Sequence, residues 1–294
     1  VEEGLVAGPR VLICLAILTQ TAGISDYTNA VGFYGDILRL PGTPDGLCDG
    51  PDQVRAMTRR MIRGGADFIK IAVTGGLSSR ISGIMTREFS YEEVEIVVRE
   101  ARAFGKPVAA HAYGGEGLKN ALRAGVHSVE HLGPLDDDDI AAMVRQGTYL
   151  VPTLTNMWVR LDMAAKDPGF LSPYNLKKAE DLAPLQREAL MRAYRAGVRI
   201  AAGTDSRPFR QGGNAKELSL LARYGMAPTD VIRAATSVAA ACCQVPDAGR
   251  IEPGCRADLL AVAGDPLQDI EIFEDSGNIA LIMRDGTVFK SRLA

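Results

Sequence analysis

An α/β fold with parallel strands is what this chain predicts, and three observations carry it. Helical and strand patterns alternate from Gly50 onward, and each strand follows closely on a glycine that ends a helix. Six such strands stand in βαβα order, which calls for parallel strands joined by crossover helices. After about Ala241 the texture turns to short strands, so an α/β domain at 1–245 is expected to be followed by a small β segment at 246–294.

Residues 10–18 read as the first strand. The segment 51–63 carries apolar residues at Val54, Met57, Met61 and Ile62, stops at Gly64-Gly65 and leads into the β-rich run 68–73. Ser90-Tyr91-Glu92-Glu93 is a capping box, in which hydroxyl and carboxylate satisfy each other's backbone N–H, and it opens a helix that Gly105 ends. A strand to His111 follows, then a helix at 117–123, a strand at 126–130, a helix near 137–145 and a strand at 148–154. Beyond a longer insertion around Asp167-Pro168-Gly169, a helix from about Pro184 to Arg195 feeds a strand at 198–202. Past Ala241, residues 249–254, 257–262 and 279–283 read as strands, with Asp285-Gly286 a hairpin turn into 287–289 and no helix following them. Val1-Glu2-Glu3-Gly4 reads as the end of a helix already under way, so upstream sequence is expected and a signal peptide stays open.

Six strands do not close a (β/α)8 barrel, which takes ~8. A TIM-like barrel therefore requires two βα units missing from the front. An open doubly wound sheet competes, but it calls for a Gly-rich phosphate turn, and neither Thr74-Gly75-Gly76 nor Gly212-Gly213 has the spacing of one. Those glycines read as tight turns.

With 294 residues, 47% apolar and 23% charged, the chain can bury one large core. A net charge of -3 without a basic, aromatic-laced cluster argues against a nucleic-acid partner. No window approaches the ~18 apolar residues of a membrane span, so no membrane partner and a cytoplasmic location are expected. The five cysteines (Cys14, Cys48, Cys242, Cys243, Cys255) include no Cys-x-x-Cys pair and read as reduced thiols, Cys242 and Cys243 packing as small buried residues of an Ala-rich helix.

Polar residues arrive at the predicted strand ends: Lys70, His111, His131 and, after the last strand, Asp205. Chemistry collects at that rim of parallel α/β folds. Neutral imidazoles and carboxylates suit a divalent ion such as Zn²⁺. His127 shares a strand face with His131 by alternation, but it stands at the strand's start and reads as structural. Lys70 as an ammonium has no lone pair, so it either forms a salt bridge or substrate contact, or ligates as a carbamate favoured by burial between Ile69 and Ile71. Asp205 either caps the next segment or binds an ion and carries a proton. Tyr113 either steadies a carbonyl or carboxylate or is a half-buried loop aromatic; Arg207 either pairs with a carboxylate or faces solvent. The acidic run 136–139 reads as a helix start, and Met157 and Trp158 as packing for a loop.

Taken together, Phe68-Ile-Lys-Ile, His111-Ala-Tyr-Gly, Ser128-Val-Glu-His131, Gly203-Thr-Asp-Ser, Ala234-Ala-Thr-Ser-Val, Ala257-Asp-Leu-Leu and Gly264-Asp-Pro-Leu-Gln-Asp-Ile resemble the amidohydrolase superfamily, in its imidazolonepropionase-related and Xaa-Pro dipeptidase-like branch. The resemblance runs from about Gly8 to the C-terminus. It implies a distorted (β/α)8 barrel with a small β-sandwich built from both chain ends, and a binuclear zinc site with a carboxylated lysine, falling here on Lys70, His111, His131 and Asp205. The implied reaction is hydrolysis of amide C–N bonds in dipeptides or N-acyl amino acids by a metal-activated hydroxide, with Asp205 and Tyr113 as catalytic groups. The family's His-x-His pair is absent, which leaves one metal with Lys70, His111 and His131 and the other with Lys70 and Asp205. The segment 21–26 also lacks a histidine that relatives tend to carry. Those departures raise two alternatives: a non-enzymatic barrel fragment acting as a binding scaffold, and a single-zinc hydrolase with unmodified Lys70 as substrate clamp. Specificity is expected in loops 77–89 and 156–174, and self-association as a homo-oligomer is common among such relatives.

Overall fold

A computed structural model describes residues 1, 3–26, 45–79, 81–205 and 212–293. Their backbone forms two compact units: Leu12–Val151 with Arg160–Arg199, and Val1–Val11 with Pro152–Val159 and Ile200–Ala294.

The expected alternation is present. In order it runs β1 (Ile17–Leu18), α1 (Gly50–Arg63), β2 (Ile69–Ala72), α2 (Tyr91–Ala103), β3 (Val108–His111), α3 (Gly115–Ala124), β4 (Ser128–Glu130), α4 (Asp137–Gln146), β5 (Tyr149–Val151), α5 (Leu154–Lys166), α6 (Pro173–Arg195) and β6 (Arg199–Ile200). The six strands form one sheet in sequence order, and β1 to β5 pair in parallel. The described residues thus make a six-stranded parallel α/β sheet and not a closed eight-stranded barrel. Gly65, Gly105, Gly125, Gly147 and Gly197, each between a helix and its strand, all have positive φ, the left-handed turn that reverses the chain out of a helix. Ser90 and Glu93 form the expected capping box, and Asp136 with Asp139 forms a second one at the start of α4.

Register sorts the side chains. Leu18, Ile71, Ala110, Val129 and Leu150 are partners across five strands and lie at most 1% exposed, forming the row that packs as core. Alternation places the neighbouring rows on the opposite face. One contains Lys70, Ala109 and Ser128, and the other Ala72, His111, Glu130 and Val151. One face is therefore apolar throughout, while the other gathers a lysine, a histidine and a glutamate near the strands' C-terminal ends.

Several expectations change. The first strand is only two residues long: Val11, Leu12 and Ile13 are exposed, Ile13 N–H donates to the Asp67 side chain (2.8 Å), and Leu15 has φ of 67°. The insertion is helical on both sides of a short turn at residues 167–172, and not one long loop. Ser172 accepts the Asn175 N–H (3.2 Å), Pro173 occupies the first turn, and the buried stripe Ala179, Leu182, Gln186, Ala189, Leu190 and Ala193 carries α6 through Pro184, which the sequence placed at its start. Met157 and Trp158 accordingly lie on α5, Met157 buried and Trp158 beneath the Lys216 ammonium.

The other unit holds α7 (Lys216–Tyr224), α8 (Pro228–Ala235), α9 (Ser237–Cys242), β7 (Leu259–Val262), β8 (Ile279–Arg284) and β9 (Thr287–Ser291). The three strands form an antiparallel sheet in the order β7-β8-β9. Asp285 and Gly286 turn its hairpin with φ of 49° and 77°, as the Asp-Gly signal requires. Residues 249–254 form no strand, and 3₁₀ turns at Ile270–Glu274 and Ser276–Asn278 separate β7 from β8. The chain start joins this sheet through side chains and adds no strand: Arg10 pairs with Asp258 and Asp285, and Arg284 donates to the Gly8 carbonyl. The Gly4 N–H donates to the Val1 carbonyl (3.0 Å). All five cysteines are free thiols, and Cys243 is exposed, not packed. Among the described residues no helix is long and apolar enough to cross a membrane.

Candidate active site

His111 is the last residue of β3 and lies beside Glu130, the last of β4. Strict alternation would turn the next residue, His131, to the opposite face. Instead His131 takes a left-handed φ of 75°, rare for a non-glycine residue, while its N–H still donates to Val151 O (2.9 Å). The imidazoles consequently meet, with ring centroids 4.4 Å apart. Tyr113 closes the cluster, stacked on His131 at 5.1 Å and edge-on to His111 at 5.3 Å. His127, before β4, packs against Tyr149 at 5.1 Å, away from this group.

Both imidazoles are buried, at 8% and 7% exposure. Burial, reinforced by the Lys70 charge, pushes His111 down to about 3. Burial, His111 and Lys70 together hold His131 well below the ordinary histidine range. Both are therefore neutral near pH 7. His111 Nε2 lies 3.0 Å from the Gly75 carbonyl, which can only accept, so Nε2 carries the proton and Nδ1 keeps a lone pair. The carbonyl comes this close because residue 76 is glycine: a Cβ there would stand 1.8 Å from Ile24 Cδ1 and 3.3 Å from His111 Nε2.

Lys70 does not end its strand, as β2 continues to Ala72. From the same face it reaches across β3 to an ion pair with Glu130, and the intervening β3 residue is Ala109, short enough to leave room. Ser128 Oγ donates to the other Glu130 oxygen (2.5 Å). Glu130 was not among the residues singled out from the sequence. Its signal was available, a carboxylate at the end of a strand directly before His131. Lys178 was also missed: from α6 its buried ammonium donates to the carbonyls of Gly76 (3.1 Å), Ser79 (2.7 Å) and Ser82 (2.7 Å), fixing the loop that carries Gly75. Within the segment lacking the relatives' histidine, Ile24 N–H donates to buried Glu88 (2.6 Å).

Asp205 belongs to the other unit. There its φ is 44°, and Asn156 Nδ2 donates to both its Oδ2 and its backbone oxygen (2.9 Å each). Arg207 lies outside the described residues. The structure thus brings His111, His131 and Tyr113 together, with Lys70 close enough to depress both imidazoles.

Two neutral buried imidazoles fit a zinc or similar divalent ion by donor chemistry. Lys70, ion-paired with Glu130, offers no lone pair in this state. Among the described residues no three His, Cys, Asp or Glu side chains converge on one cation position.

The chain matches the amidohydrolase family over residues 1–289 and belongs to it. It is 33% identical over 302 residues to the ochratoxinase of Aspergillus niger, covering 99% of this chain and 62% of that protein, so it spans less than two thirds of that relative's length. The crystal structure of a Xaa-Pro dipeptidase with methionine bound in its active site has a TM-score of 0.89 at 34% identity, covering 99% of this chain and 70% of that one. The imidazolonepropionase of Salinispora arenicola is 28% identical over 165 residues, 55% of this chain and 37% of that protein. Family and branch agree with the motifs.

Proposed function

We propose that the protein is a metal-dependent hydrolase of amide C–N bonds in dipeptides of the Xaa-Pro kind or in N-acyl amino acids. One observation carries this: two buried, neutral imidazoles, His111 and His131, held 4.4 Å apart at strand ends in a chain of the amidohydrolase family. His111 and His131 would hold zinc or a similar ion, one or two in number, with Asp205 and a carboxylated Lys70 as the further ligands. Such an ion, when bound, supplies Lewis acidity and lowers the pKa of water to ~7.

The chain's own groups do the rest. Burial keeps both imidazoles unprotonated, so their lone pairs stay available. Asp205 takes the proton of the attacking water and passes it to the leaving amine. Tyr113, whose ring is fixed against both histidines, steadies the scissile carbonyl through its hydroxyl. Similarity to the dipeptidase structure supports the dipeptide class. The Lys70–Glu130 ion pair favours a second reading, in which Lys70 stays an ammonium and clamps a substrate carboxylate beside a single ion.

Hydrolysis of methionyl-proline by zinc-loaded and chelator-stripped protein tests the reaction. Proline release that stops on stripping and returns with zinc is expected; no release from this dipeptide or from a panel of N-acyl amino acids contradicts it. A carbamate carbon signal after ¹³C-bicarbonate labelling, lost in Lys70→Met, separates the first reading from the second.

A further inference from the structure

We infer that Asn156 is the positioning residue for Asp205, and that buried Glu217 fixes Asn156 in place. The inference rests on the proposed role of Asp205 as proton carrier. All of these residues lie within one compact unit.

The first turn of a helix leaves backbone N–H groups without partners. At the start of α5 the Glu217 carboxylate, reaching in from α7, accepts the N–H of Leu154 (2.9 Å) and Thr155 (2.8 Å), and the Thr155 hydroxyl (2.7 Å). Glu217 has no exposed surface. A buried carboxylate with three donors has little freedom to move, so it fixes where α5 begins and how its first turn is rotated. The next residue is Asn156, 4% exposed. Its Nδ2 donates to Oδ2 and to the backbone oxygen of Asp205, both acceptors, so the amide orientation is set by chemistry. The two bonds tie the carboxylate to its own main chain, at a residue whose φ of 44° is unfavourable without support. A single amide thus holds both the strained backbone and one carboxylate oxygen of Asp205. Sequence gave no sign of this, because Asn156 and Glu217 stand 61 positions apart in segments read as a loop and not assigned.

The test is a double-mutant cycle on methionyl-proline hydrolysis, with unfolding midpoints measured alongside. Asn156→Ala is expected to lower kcat by ~10- to 100-fold while KM stays within ~2-fold. The isosteric Asn156→Asp, which sets a like charge beside Asp205, should lose at least as much. In an Asp205→Asn background, Asn156→Ala should cost nothing further, the non-additivity expected of a residue acting through another. Wild-type kcat in both Asn156 variants, or the full loss repeated in the Asp205→Asn background, overturns the inference while leaving the functional reading intact. An inactive wild-type protein, or an Asp205→Asn variant with full turnover, overturns the functional reading and the inference with it.

Discussion

Two buried polar clusters in this chain solve the same physical problem in opposite ways. Around His111 and His131 the groups are kept uncharged: burial and the nearby Lys70 ammonium push both imidazoles below their ordinary range. Around Glu217 the donors are supplied: two helix-start N–H groups and a hydroxyl surround one carboxyl, which burial nevertheless pushes up to about 7. Burial disfavours charge in both places, lowering the bases and raising the acid. The lesson is functional as well as energetic. A neutral imidazole keeps a lone pair for a cation, whereas a carboxyl that accepts three buried donors is spent on holding a backbone in place.

Breaking the second cluster should have the largest structural effect. Glu217→Ala strands three buried donors and should cost ~2–4 kcal/mol in urea unfolding, with Glu217→Gln, which keeps an acceptor, losing much less. Lys178→Met comes next. It deprives the carbonyls of Gly76, Ser79 and Ser82 of their shared donor and should cost ~1–3 kcal/mol, with faster amide exchange confined to the 76–82 loop.

A smaller effect sharpens the contrast through pH. Glu217 and Glu88 bind protons more tightly folded than unfolded, both raised to about 7 chiefly by burial from an ordinary 4.5, so their contribution to stability falls as pH rises between those values. His111 does the reverse. Its folded value of about 3 lies below the unfolded 6.5, so its contribution is lost as pH falls through that interval. In metal-free protein between pH 5 and 6.5, Glu217→Gln should tilt the plot of stability against pH upward and His111→Asn should tilt it downward, each by at most ~1 kcal/mol per pH unit. Tilts of the same sign would contradict the assignment of the two clusters. At the bottom of the scale, the solvent-exposed i,i+4 pair Lys177–Asp181 should leave the unfolding midpoint unchanged in Lys177→Ala.

How much of this was legible in the sequence follows from what is local and what is not. The βα alternation could be read because each strand is announced by a helix-ending glycine, and those glycines do take positive φ. His111 could be placed by counting along its strand. His131 sits in the predicted cluster for a reason that counting misses, since alternation would have turned it away and a strained φ turns it back. Lys70 was named but set at the strand's end, and its partner Glu130 was overlooked because the pairing crosses β3 through the gap over Ala109. The insertion was misread for a local reason: Pro184 looked like a helix start, whereas the Ser172 cap had begun the helix eleven residues earlier at Pro173. The support of Asp205 by Asn156, and of α5 by Glu217, depends on distant segments meeting, which one sequence does not disclose.

The most direct measurement is metal content beside turnover, in wild-type protein and in His111→Asn and His131→Asn after dialysis against zinc. The account predicts one or two bound zinc ions in the wild type, a loss of at least one in each variant, and methionyl-proline hydrolysis reduced by ~10³-fold or more. Variants that fold, keep the wild-type zinc content and turn over normally would contradict it.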